Sequence, residues 1–165
     1  MKVFYMNKLT HFDKSGRSKM VDVTDKSDTV REAVAQATVT MQKETLRRIM
    51  DRQIDKGDVL GVAQTAGIMA AKKTAELIPM CHPLNITSVE MEFLPHEAAR
   101  QIEVRAQVKI TGKTGVEMEA LVAVSVASLT VYDMCKAIDR GITISDIKLM
   151  RKSGGKSGRY ERPSI

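Results

Sequence analysis

Between residues 32 and 41 the chain alternates apolar and polar positions. Ala33, Ala35, Ala37, Val39 and Met41 stand on one side, and Glu32, Val34, Gln36, Thr38 and Thr40 on the other. A period of two belongs to an extended strand, and the small side chains on its apolar side predict a helix packed close against it. The period then changes. Lys43 to Arg52 spaces Leu46, Ile49 and Met50 for a short helix that closes near Lys56-Gly57. Asp58 is placed to cap a longer helix from Val59 to Leu77. That helix carries Val62, Ala66, Met69, Ala70 and Lys73 at three-to-four spacing, and Pro79 bars its continuation.

Alternation returns in Ile86 to Phe93, through Val89, Met91 and Phe93, and in Ile102 to Ile110, through Ile102, Val104, Ala106, Val108 and Ile110. The polar link Pro95 to Arg100 makes these two strands a hairpin. From Glu117 to Arg140, Leu121, Val124, Ser128, Leu129 and Met134 predict a buried helix closed by Gly141. A last strand, Ile142 to Met150, precedes a glycine-rich tail. The order predicts an α+β chain with the ferredoxin-like βαββαβ arrangement, an antiparallel sheet and an additional short helix. Helices would cover one sheet face. The other needs cover, which a second subunit commonly supplies.

The 165 residues are expected to form a single domain, 1–165, with residues 1–12 as an N-terminal extension and 153–165 as the glycine-rich tail. Twenty-six Lys and Arg against 20 Asp and Glu leave a net charge of +6, which favours an anionic partner without saying which. The longest apolar run, Ala120 to Tyr132, is interrupted by serine and threonine and is shorter than the roughly 20 residues of a membrane span. The first residues lack the apolar core of a secretion signal, so a cytoplasmic protein is expected. Cys81 and Cys135 form no Cys-x-x-Cys pair, which fits reduced thiols. His11, His82 and His96 lack metal-binding spacing, and no metal is expected.

Candidate chemistry gathers at several places. In Thr111-Gly-Lys-Thr-Gly-Val-Glu-Met-Glu119, Glu117 and Glu119 share a face if the backbone is extended. If it is helical, Thr114-Gly-Val-Glu117 has the pattern of a capping box, and a carboxylate at a helix start can still line a pocket. Pro79-Met-Cys-His-Pro83 holds Cys81 and His82 between two prolines, either to fix a catalytic side chain or simply as a rigid turn. A Cys-His nucleophilic pair is disfavoured there, because adjacent side chains on extended backbone point apart. Asp133 and Lys136 are three apart on a helix. On a surface such a pair is worth only about 0.3–0.5 kcal/mol, but the apolar residues around it predict partial desolvation and a proton-transfer unit. Lys56, in the loop before Asp58, reads in isolation as a solvated lysine. Lys152-Ser-Gly-Gly-Lys-Ser-Gly-Arg159 offers amides and cations to phosphate, or is a terminal tail. Two apparent P-loops fail, because Gln107 and Met150 stand where the first glycine is required.

Met20-Val-Asp-Val-Thr24, Pro79-Met-Cys-His-Pro-Leu84, Thr111 to Leu121, Tyr132-Asp-Met-Cys-Lys-Ala137 and Lys152 to Gly158 together resemble the cyclic pyranopterin monophosphate synthase (MoaC) family of molybdenum cofactor biosynthesis, over roughly Leu9 to Gly158. The resemblance implies conversion of (8S)-3',8-cyclo-7,8-dihydroguanosine 5'-triphosphate to cyclic pyranopterin monophosphate with release of diphosphate, without a cofactor. It implies a ferredoxin-like subunit in a homohexamer built as a trimer of dimers, with active sites at an interface. By matching positions, it implies Asp133, Lys136 and Lys56 as catalytic residues. Met80, Cys81, His82, Glu117, Met118, Glu119, Arg31, Lys152 and Lys156 would contact substrate. On that basis Arg31, Lys152 and Lys156 suit the triphosphate, and Glu117 and Glu119 the donor edge of the guanine-derived ring. His82 would orient a phosphate or carry a proton.

Two other classes compete. An RNA-reading ferredoxin-like module needs stacking aromatics on its sheet, and the hairpin strands supply only Phe93. A non-catalytic scaffold for an anionic metabolite leaves Glu117, Asp133 and Lys136 without a task.

Overall fold

The computed structural model describes residues 15–163, so His11 and the whole expected N-terminal extension, 1–12, lie outside the described residues. The elements are β1 (Thr29–Thr40), α1 (Lys43–Met50), α2 (Val59–Lys72), α3 (Thr74–Leu77), β2 (Ser88–His96), β3 (Gln101–Gly112), α4 (Glu117–Cys135), β4 (Thr143–Ser153) and β5 (Tyr160–Glu161). The strands form one antiparallel sheet in the order β2-β3-β1-β4-β5. The first four strands give the ferredoxin-like order, and β5 is added at the edge.

β1 lies at the centre and pairs along its whole length with β3, from Thr29 opposite Gly112 to Thr40 opposite Gln101. Its alternation works as expected: Ala33, Ala35, Ala37 and Val39 are fully buried. Their small size lets α4 lie close on β1, β3 and β4 and present Ala120, Ala123, Val124, Ala127 and Val131 to them. α4 is long and apolar enough to cross a bilayer, but ten of its 19 side chains are buried in this protein core.

Several elements differ from the sequence pattern. The predicted helix Val59 to Leu77 breaks at Lys73 into α2 and α3, and the Thr74 hydroxyl donates to the Ala71 carbonyl (3.0 Å) at the break. α2 buries Val59, Ala63, Gly67, Ala70 and Ala71, while Val62 and Met69 of the expected face are 44% and 54% exposed. Close packing selects the smaller residues. A Cβ at Gly67 would stand 3.0 Å from the Ala123 carbonyl of α4 and 2.9 Å from Cε of Met91. The expected tail also folds: its glycines turn the chain back so that Tyr160 pairs with Lys152 and Glu161 with Arg151. Gly154, at φ +95°, passes over the Val30 carbonyl, where a Cβ would overlap.

The outer sheet face, for which cover by a second subunit was expected, is polar. It carries Glu32, which pairs with Arg151 (3.1 Å) and Lys109 (3.8 Å), together with Gln107, Arg105, Glu103, Glu90 and Glu92, so water can solvate it. Phe93 turns to the opposite side and packs on the core.

α4 ends at Cys135, earlier than the predicted Arg140, because the following turn takes a different role. Asp139, 1% exposed, accepts hydrogen bonds from Gln42 N (2.8 Å) and the Thr45 hydroxyl (3.0 Å) through one oxygen, and from Gly141 N (3.0 Å) through the other. Gln42, the N-cap of α1, gives no side-chain cap of its own, so a carboxylate from the far end of the chain serves there. Asp139→Ala is expected to destabilise the fold by about 2–4 kcal/mol, because three donors lose a charged acceptor. Chemical denaturation of the variant and the parent measures it.

Candidate active site

A cleft of about 1250 Å³ opens where the start of β1, the end of β3, the first turn of α4 and the 79–83 turn meet. Arg31, Met80, Cys81, His82, Glu117, Met118, Glu119 and Lys156 all line it. Arg31 falls on the same side of β1 as Ala33, so its side chain enters from the core side and is 8% exposed. Its Nε donates to the Gly112 carbonyl (2.8 Å) and one terminal nitrogen to the Lys113 carbonyl (2.9 Å). Gly155 lies against the guanidinium, where a Cβ would overlap it. Lys152 joins the cleft through Glu117, at 2.7 Å, and the Ser157 hydroxyl, at 3.0 Å.

Thr114 does not cap α4. The N-cap is Val116, without a side-chain bond, and Glu117 and Glu119 both lie in the first helical turn rather than on extended backbone. The two carboxylates therefore diverge: Glu117 turns to Lys152, and Glu119 points inward at 3% exposure. Burial, and then the charge of Glu117, pushes the Glu119 carboxyl up to about 6. Burial also raises the Cys81 thiol, and Glu119 adds to it, which disfavours the nucleophilic thiolate. Cys135 is buried and free, its thiol raised to about 11 by burial.

His82 Nε2 is 2.9 Å from the Val21 carbonyl. A carbonyl only accepts, so Nε2 donates in this contact and the ring is oriented by it. Lys113 donates to the Thr24 carbonyl (2.7 Å). Asp22 accepts from both the amide (2.9 Å) and the hydroxyl (2.7 Å) of Thr24, contacts that hold its carboxyl below the usual range. Residues 21–24 thus form a strap across the cleft, tied to His82 and Lys113. Sequence reasoning gave the strap no site role, although the Asp-Val-Thr turn pattern marks it. It also left out the hydroxyls of Thr29 and Thr114, which are buried at the cleft wall and make no hydrogen bond among the described residues.

The three residues expected to be catalytic, Lys56, Asp133 and Lys136, stand elsewhere. Lys136 Nζ is 2.7 Å from Asp133, and Lys56 Nζ lies 3.3 Å from the other Asp133 oxygen while donating to the Asp133 carbonyl at 2.8 Å. These bonds, Lys136 first, hold the Asp133 carboxyl below its ordinary value, and Asp133 raises Lys136. The predicted desolvation is not present in the protomer. Asp133 and Lys136 are 58% and 51% exposed, because they face away from the core while Val131, Met134 and Cys135 of the same turn are buried in it. Glu119 and Asp133 are 14 residues apart on one helix, or about 21 Å along its axis.

The raised Glu119 carboxyl has a testable sign. The folded state binds this proton more tightly than the unfolded chain, so the burial cost is absent below about pH 4.5, grows as pH rises, and is complete above about 6. Glu119→Gln is expected to be more stable than the parent by roughly 2 kcal/mol at pH 7, with the difference vanishing near pH 4.5. Urea denaturation across that range checks it.

The MoaC family model matches residues 20–155. A protein of Heliobacterium modesticaldum named cyclic pyranopterin monophosphate synthase is 59% identical over 157 residues, covering 95% of this chain and 99% of its own. Proteins of the same name from Syntrophomonas wolfei and Desulfitobacterium hafniense are 61% and 62% identical, each over 93% of this chain and over 98% and 94% of their own lengths. The strap, the Asp133 trio and the cleft apart from Lys156 and Ser157 fall within the matched span, and the chain belongs to the MoaC family.

Proposed function

We propose that this chain is a lyase of molybdenum cofactor biosynthesis that converts (8S)-3',8-cyclo-7,8-dihydroguanosine 5'-triphosphate to cyclic pyranopterin monophosphate and diphosphate. The observation that carries the reading is the cleft itself. Basic side chains enter it from β1, β4 and the β4–β5 turn on one side, while a buried carboxyl and an oriented imidazole face it from the other. Arg31, Lys152 and Lys156 take the triphosphate, which needs several cations because its charges are costly to bury unpaired. Glu119 accepts from the amide and amino groups of the guanine-derived ring, between Met80 and Met118. His82, held through Nε2 by the Val21 carbonyl, orients a phosphate oxygen or carries a proton.

Opening the ribosyl-purine skeleton, forming the pterin and closing the cyclic phosphate all move protons. Asp133 and Lys136 are the acid and base, with Lys56 alongside. One protomer cannot bring them to its own cleft across about 21 Å of rigid helix, so a working site takes its cleft from one copy and its trio from another. Seating against a second subunit also supplies the desolvation that the trio lacks alone. The chain would assemble as a homohexamer, a trimer of dimers. Exposed Val62, Met69 and Leu129 on α2 and α4 are apolar surface suited to such contacts.

Purified protein incubated with the cyclic triphosphate is expected to release diphosphate and a pterin, fluorescent after oxidation, in equal amounts. Binding without either product would favour the scaffold reading. Lys136→Ala should lower kcat by about 10²–10⁴-fold with assembly and melting unchanged, whereas Lys152→Ala should mainly raise KM. Mixing Lys136→Ala with Glu119→Ala subunits should restore turnover, since some composite sites then carry neither substitution. Failure of exchanged subunits to regain activity would place the whole site within one copy.

A further inference from the structure

We propose that Glu117 is an internal counter-ion, occupying on Lys152 the position that a phosphate of the ligand must take, so that substrate seats only by displacing it. The inference rests on the reading of the cleft just given. Lys152 is held by its backbone from both sides, opposite Ala33 of β1 and opposite Tyr160 of β5, which fixes the root and direction of its side chain. Its side chain is 24% exposed and that of Glu117 27%, and the two meet at 2.7 Å, with Ser157 as the second acceptor. The Glu117 carboxylate reaches this place by folding back over Gly115, where any Cβ would overlap it. The glycine thus makes room for the resting position of the acid.

The neighbouring cations are also held at rest, but by neutral partners. Arg31 donates to two backbone carbonyls and Lys113 to one. Among these three, only Lys152 is neutralised by a full charge, so it is the one whose availability an anion must compete for. A single carboxylate carries one charge, while a diphosphate group carries roughly three to four and can engage all these cations at once. Displacement also frees Glu117, at the mouth of the cleft beside Glu119, to accept from the ring donors. One side chain therefore links phosphate seating to ring recognition.

The sign of the effect separates this from simple loss of a contact residue. Inorganic diphosphate is titrated calorimetrically into the full-length chain, its Glu117→Gln and Lys152→Ala variants, and the double variant. Glu117→Gln is expected to bind diphosphate about fivefold more tightly, the competition of a partly buried pair having been removed. That gain should vanish in the Lys152→Ala background. Unchanged or weaker binding by Glu117→Gln overturns the proposal. So does an equal gain without Lys152, which would reveal only general repulsion between Glu117 and the anion. If Glu117→Gln fails to fold, Glu117→Asp, whose shorter carboxylate falls short of Lys152, carries the same expected sign. Turnover of the cyclic triphosphate by the parent protein is measured alongside. Its absence would remove the functional reading, while the diphosphate titration decides the exchange independently.

Discussion

The close approach of α4 to β1 is the constraint on which the rest of this structure depends. Three alanines on the inner face of β1 and the alanines of α4 bring helix and sheet together, and Gly67 brings α2 onto α4 in turn. Interiors packed at crystalline density have few ways to rearrange, so α4 is fixed in both position and rotation. Its first turn then delivers Glu117, Met118 and Glu119 to the cleft, and its last turn delivers Asp133 and Lys136 to the surface. The functional geometry is set by apolar residues that touch no ligand.

Much of the fold was legible because its signals are local. The alternation in β1 and β3, the polar hairpin link and the Asp58 cap, which accepts from Gly61 N at 3.0 Å, all act within a few residues, although β2 runs through Pro95 to His96 and leaves a shorter link than the proline suggested. What escaped depends on distant partners. The buried face of α2 could not be read from its own spacing, because the ranking of Val62 and Met69 against Ala63 and Gly67 is decided by how near α4 comes. The role of Asp139 needs α1, nearly a hundred residues earlier. The β4–β5 hairpin has too few pairs to leave a periodic trace.

The site shows the same division. Every cleft residue expected from the family resemblance lines the cleft, apart from Lys152, which reaches it through Glu117. Desolvation of Asp133 and Lys136 was inferred from apolar neighbours in sequence, but a helix can carry those neighbours inward while the polar pair faces water. Electrostatics inside the cleft could not be foreseen at all. Glu117 and Glu119 are two residues apart, yet one is an ion-pair partner near the surface and the other a buried acid with a raised proton affinity.

α4 also acts as a ruler. Because it joins the cleft to the Asp133 trio through 19 continuous helical residues, their separation and relative rotation are written in its residue count. Adding or removing one residue would rotate one end by about 100° against the other and shift it by about 1.5 Å. Loops in this chain can drift in length at small cost, whereas the helix between the cleft and the Asp133 trio must keep its number if the two are to keep their relative placement.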